Sequence, residues 1–156
     1  MTAGTIIAII GAATAAILGG LGSAIGVQMG GRAATGVLSE KPELFGKMLI
    51  LQALPGTQGI YGFLIAFLVM VQLDMFTAVP ELTTAQGWAI FGACMPIAVM
   101  GLLSAILQGR TAVSAIHMVA KQPDASVKGM TMTALVETYA ILTLLISILL
   151  LFSIEI

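Results

Sequence analysis

The stretch Ala134-Leu-Val-Glu-Thr-Tyr-Ala140 decides how this sequence is read. It sets one carboxylate, Glu137, inside an otherwise apolar run from about Gly129 to Ser153. Such a run is long enough to cross a bilayer, which takes roughly 20 apolar residues. A charge at membrane depth costs about 2.5–3.5 kcal/mol even on lenient insertion scales. An acid kept there against that cost points to a task, and the reversible binding of a cation suits a carboxylate.

The composition agrees with a membrane setting. Of 156 residues, 59% are hydrophobic and 8% charged, and the mean hydropathy is +1.10. A soluble domain carries about 25% charged residues. This chain cannot cover a water-facing surface, so an all-α integral membrane protein is expected. The net charge of −1 comes without a basic stripe, which argues against a nucleic-acid partner. Cys94 stands alone in an apolar stretch and reads as a small packing residue. His117 has no Cys/His cluster around it, so no zinc site is implied. The ten methionines read as adaptable core filler rather than a copper site. No basic residue precedes Arg32, unlike the start of a cleaved signal peptide, so the first apolar stretch is expected to stay as a helix.

Four apolar segments follow one another, at about Thr5 to Leu38, Gly46 to Leu73, Thr84 to Ala120 and Gly129 to Ser153. The connectors, Ser39–Phe45, Asp74–Glu81 and Lys121–Ser126, carry proline or charge and are expected to stop the helices. All six basic residues, Arg32, Lys41, Lys47, Arg110, Lys121 and Lys128, gather around the first and third connectors. Lys and Arg flanking helix ends mark the cytoplasmic side. Residues 39–46 and 121–128 are therefore expected in the cytoplasm of a cell-membrane protein, with both termini and Asp74–Glu81 outside.

The chain also repeats itself. Pro42 and Pro123 stand 81 positions apart, and the same gap aligns Ser23-Ala24-Ile25 with Ser104-Ala105-Ile106. It aligns Lys47 with Lys128, Ala53-Leu54 with Ala134-Leu135, and Thr57 with Thr138. One membrane domain, 1–156, is thus expected as two helical hairpins of like orientation, 1–78 and 79–156, the second carrying the carboxylate. Two fused hairpins suit a protein that lines a ring. Gly22, Gly26 and Gly30 recur at spacing four, which lets backbones approach closely in lipid. Tight bundling within one chain and the narrow inner wall of a many-copy ring both fit that spacing.

The repeat serves as a depth ruler. Counted from Pro42 or Pro123, Thr57, Gln58, Gln108 and Glu137 fall within a few ångströms of one depth at about 1.5 Å per residue. Leu54, Thr57, Gln58 and Tyr61 follow i, i+3, i+4, i+7 and share a helix face. Pro55 removes a backbone donor and loosens the ladder there. The candidate site is the Glu137 carboxylate, the amide oxygens of Gln58 and Gln108, the Thr57 hydroxyl and a carbonyl near Leu54. An all-oxygen set suits a hard cation, and one carboxylate balances a monovalent ion. Sodium is favoured, with lithium as competitor. Tyr61 is positioned to donate a hydrogen bond to Glu137 and orient it. Plainer readings also stand: Thr57 bonding back to its own helix, and Gln58 pairing with Gln108 as interhelical glue. Tyr139, Gln28, Gln52 and Arg110 read as packing or interfacial residues.

The runs Leu54-Pro-Gly-Thr-Gln-Gly-Ile-Tyr-Gly62, Leu135-Val-Glu-Thr-Tyr-Ala-Ile141 and Leu107-Gln-Gly109 resemble the proteolipid subunits of bacterial sodium-pumping V-type ATPases. The resemblance spans nearly the whole chain. It implies Na+ ligands at Leu54 (through its carbonyl), Thr57, Gln58, Gln108 and Glu137, with Tyr61 hydrogen-bonding the carboxylate. It further implies a non-catalytic subunit in a homo-oligomeric rotor ring set in lipid. A central-stalk subunit would meet the cytoplasmic connectors, and a stator subunit with a basic residue would displace the ion. A proton-driven rotor of the same fold, a small secondary transporter or pore, and a purely structural scaffold are the alternatives.

Overall fold

The computed structural model describes residues 1–77 and 81–155. Pro80 and the expected division between the halves at 78/79 lie outside the described residues. All regular structure among the described residues is helical. Helix α1 spans Ala3–Leu38; α2 spans Phe45–Ala53 and α3 Thr57–Gln72; α4 spans Thr84–Lys121; α5 spans Ser126–Leu135 and α6 Thr138–Phe152. Among the described residues, four stretches are long and apolar enough to cross a membrane: Ala3–Leu38, Pro42–Gln72, Thr84–Lys121 and Pro123–Phe152. In hydrocarbon a helix satisfies its own backbone, which is why these runs form nothing else. The 36 residues of α1 reach about 54 Å at 1.5 Å each, well beyond a 30 Å hydrocarbon core, so α1 must tilt or protrude.

Two prolines act differently from the sequence expectation. Pro42 and Pro123 open 3-10 turns that lead directly into the second and fourth crossings. A first-turn position needs no backbone donor and favours proline's fixed φ, so these residues start helices as well as ending the connectors. The fourth crossing accordingly begins at Pro123 rather than near Gly129. At the opposite end, Thr83 caps α4 with a reciprocal bond to Gln86.

The two long helices α1 and α4 pack side by side, with α3 and α6 laid against them. Glycine sets the closeness of the α1–α4 contact. A Cβ on Gly22 would come within 2.7 Å of the Leu102 Cα, and one on Gly26 within 2.5 Å of the Ala105 carbonyl oxygen. The glycine spacing therefore serves tight bundling within the chain. Two buried apolar clusters result. One, nearer the termini, includes Ala15, Ile65, Val69, Ile97 and Cys94. The other, at the connector end, includes Ala34, Met48, Leu51, Ile116 and Val119. At that end Lys41 Nζ donates to the Ala120 carbonyl at 2.5 Å, and Lys47 Nζ to the Pro123 carbonyl at 2.9 Å. Both bonds tie the first hairpin to the second.

Candidate functional site

Between the two apolar clusters lies a polar layer. Gln58 on α3 and Gln108 on α4 are fully buried there. A buried amide without partners costs several kcal/mol, so these two groups must be satisfied by neighbours. Gln58 Nε2 donates to Gln108 Oε1 at 2.5 Å, and Gln108 Nε2 donates to the Thr133 carbonyl at 3.2 Å. Across the layer, Tyr61 donates its hydroxyl hydrogen to Glu137 Oε1 at 2.5 Å. Tyr61 stands one turn beyond Gln58 on α3, and Thr133 stands one turn before Glu137. The chain of contacts Glu137, Tyr61, Gln58, Gln108, Thr133 thus closes on itself through two helix turns.

The second crossing is interrupted at Leu54–Gly56, where a 3-10 turn replaces α-helix. Pro55 cannot donate and Gly56 adds no bulk, so the ladder tightens locally. The Thr57 hydroxyl donates to the Leu54 carbonyl at 3.1 Å and lies 3.4 Å from Gln58 Oε1. Both plainer sequence readings are therefore present as contacts: Thr57 bonds back to its helix, and the glutamines pair. They also bring the oxygens of Leu54, Thr57, Gln58 and Gln108 together. The direction of donation matters. Each glutamine spends an N–H on a neighbour, which leaves Gln58 Oε1 as an acceptor beside the Thr57 oxygen. Glu137 Oε2 accepts no hydrogen bond among the described residues.

One feature of the site was not read from the sequence. The fourth crossing is also interrupted, at Val136–Glu137, between α5 and α6. There Val136 and Glu137 donate to carbonyls three residues back, at 3.3 and 3.0 Å. This break is the image, 81 positions on, of Leu54–Gly56, although no proline marks it. Glu137 occupies the place of Gly56. The Thr133 carbonyl was missed as well, since a backbone acceptor leaves no signature in residue type. Among the residues set aside, Tyr139 and Arg110 are exposed and Cys94 is buried in apolar packing.

A bundle of two like hairpins, with a half-buried carboxylate bonded to Tyr61 and a buried glutamine pair at mid-depth, is the architecture of an ion-carrying membrane subunit. The family model for the ATP synthase C subunit matches twice, over residues 10–69 and 91–150, again 81 positions apart. The chain belongs to the ATP synthase C-subunit family, and is a non-catalytic, ion-carrying subunit of a rotary ATPase's rotor ring. It is 48% identical, over 94% of its length and 91% of the relative, to the V-type sodium ATPase subunit K of Enterococcus hirae. It is 40% identical, over 94% of its length and 62% of the relative, to the A-type ATP synthase subunit K of Methanocaldococcus jannaschii. The 16 kDa proteolipid of the V-type proton ATPase of Nephrops norvegicus is 30% identical over 74% of this chain and 70% of its own.

Proposed function

We propose that this chain carries Na+ at Glu137, with the Leu54 carbonyl, the Thr57 hydroxyl and the amide oxygens of Gln58 and Gln108 completing the ligand set. Tyr61 orients the carboxylate. Li+, of the same charge and similar hardness, competes for the same oxygens. The observation that carries this reading is the direction of the hydrogen bonds between Gln58, Gln108 and Thr133. Each amide spends a hydrogen on protein; Gln108 Oε1 accepts one bond from Gln58 and keeps a second lone pair, and Gln58 Oε1 takes none from Gln108, which leaves lone pairs for a cation. A proton site would need only the carboxyl group.

In this reading, ATP hydrolysis elsewhere in the complex turns the ring. Glu137 loads an ion, passes lipid while neutralised, and unloads where a stator subunit presents a basic residue. Neutralisation is required because a bare carboxylate facing lipid would cost several kcal/mol. Each ion moved against 100 mV costs about 2.3 kcal/mol. The basic residues gathered at connectors 39–46 and 121–128 support a cytoplasmic position for those loops, against the central stalk, with both termini outside.

Carbodiimide modification of Glu137 tests the coupling ion. At fixed pH, millimolar Na+ and Li+ are expected to protect the carboxyl group, and choline to leave it reactive. Labelling indifferent to Na+ would transfer the same fold to proton carriage, the activity named in the Nephrops relative.

A further inference from the structure

Within the chain α1 and α4 make one narrow contact, and the 81-residue repeat offers a second pairing of the corresponding faces. Shifting α1 forward and α4 back by one repeat pairs α4 of one copy with α1 of the next. The residues so paired are Leu103 with Leu21 and Leu107 with Ala24, the images of Gly22 with Leu102 and Gly26 with Ala105. Nearer the termini, Gly92 pairs with Ile10, the image of Gly11 with Phe91. All six are exposed in the single chain, Leu103 by 49% and Leu21 by 51%. A groove of about 520 Å³ runs between α4 and the break in the fourth crossing, lined by Ser104, Leu107, Leu135, Thr138 and Tyr139. Its images in the first hairpin, Ser23, Gly26, Leu54, Thr57 and Gln58, lie at the internal junction, where α4 packs against Gly26 and Gln58.

We infer that this groove is covered by α1 of a second copy, and that the junction so made is wider than the one within the chain. The first part follows from the repeat. The second follows from size. Leucine stands at 103 and 107, where the internal junction has Gly22 and Gly26, and those glycines already lie in backbone contact with α4. A leucine in that position drives the helices apart by the depth of its side chain. The ring therefore alternates narrow junctions inside chains with wide junctions between them. The carboxylate belongs to the narrow kind. At the wide junction its place is taken by Gly56 of the next copy, that of Gln58 by Tyr139, and that of Gln108 by Val27 of the next copy. One polar strap survives the shift in residue type: Lys47 to the Pro123 carbonyl becomes Lys128 to the Pro42 carbonyl of the next copy.

The inference rests on the rotor-ring reading, and electron microscopy of the purified ring separates the two. The α4-to-α1 axis distance between copies is expected to exceed the α1-to-α4 distance within a chain by roughly 1–2 Å, inside the spread that contact side chains impose. Equal distances overturn the alternation and leave the ring intact. A preparation with no ring overturns the reading beneath it. The pairing of faces is tested independently with the full chain. Leu21→Cys with Leu103→Cys is expected to give a ladder of covalent multimers on oxidation, and Phe63→Cys with Leu103→Cys to give none. A ladder from the Phe63 pair alone overturns the assigned faces. If the Leu21 pair does not assemble, Ala24→Cys with Leu107→Cys replaces it, with the same expectation.

Discussion

Tyr61 donates to Glu137 Oε1 across 2.5 Å from a position 76 residues earlier in the chain. The bond joins the second crossing to the fourth and holds the carboxylate by its Oε1. A hydrogen bond to a charged group is worth about 1.5–3 kcal/mol. Tyr61→Phe is therefore expected to weaken Na+ binding roughly ten- to a hundredfold, at 1.4 kcal/mol per tenfold, with assembly unchanged. Equilibrium binding of radioactive Na+ to the purified ring measures this. An unaltered affinity would remove Tyr61 from the site.

Glu137→Gln keeps the shape and removes the charge. It is expected to abolish carbodiimide labelling and Na+ transport by the assembled complex, while the subunit still migrates as a multimer. Transport at the normal rate would mean that the carboxylate is only structural.

Gln108→Ala tests whether the amide is a ligand or a strut. On the proposed reading it removes one oxygen from the cation; it also takes the acceptor away from Gln58 Nε2, a desolvation cost of about 1–3 kcal/mol, while the Thr133 carbonyl keeps the Val136 N–H. Na+ affinity is expected to fall further than proton affinity, the latter read from the pH dependence of carbodiimide labelling without Na+. Equal losses for both ions would make Gln108 a strut.

The packing of α1 makes a prediction about stability alone. A Cβ at Gly26 would meet the Ala105 carbonyl oxygen at 2.5 Å and the Pro55 Cβ at 2.7 Å, whereas one at Gly46 meets nothing within 4 Å. Gly26→Ala is expected to cost about 1–3 kcal/mol through overpacking. Gly46→Ala, inside α2, is expected to gain up to about 1 kcal/mol from helix propensity. Thermal unfolding in detergent should order them Gly46→Ala, wild type, Gly26→Ala. A melting temperature for Gly26→Ala at or above wild type would show that α1 and α4 are not tightly fitted.

Much of the site was legible because membrane sequences are poor in polar groups. Glu137 stands out among hydrocarbon side chains, and the 81-residue repeat alone sets Gln58, Gln108 and Glu137 at one depth. Pro55 announced its own break. The interruption at Val136–Glu137 had no such residue, and only its alignment with Leu54–Gly56 could have revealed it. Pro42 and Pro123 show only half of their role in the sequence, since proline ends one helix and begins another by the same fixed φ. The glycines of α1 fitted two readings because spacing describes a surface and not what lies against it. Leu102 and Ala105 lie against Gly22 and Gly26 and meet the bundling reading.

The lysine straps at the connector end carry a mechanical consequence. Lys41 and Lys47 fasten the first hairpin to backbone oxygens of the second, beside the loops proposed to meet the stalk. A sideways pull on either loop is shared by both halves, so the chain moves as one stiff tooth of a gear. The crossings that pair Gln58 with Gln108 and Tyr61 with Glu137 then keep their register under torque, and turning the wheel does not by itself spill its passenger.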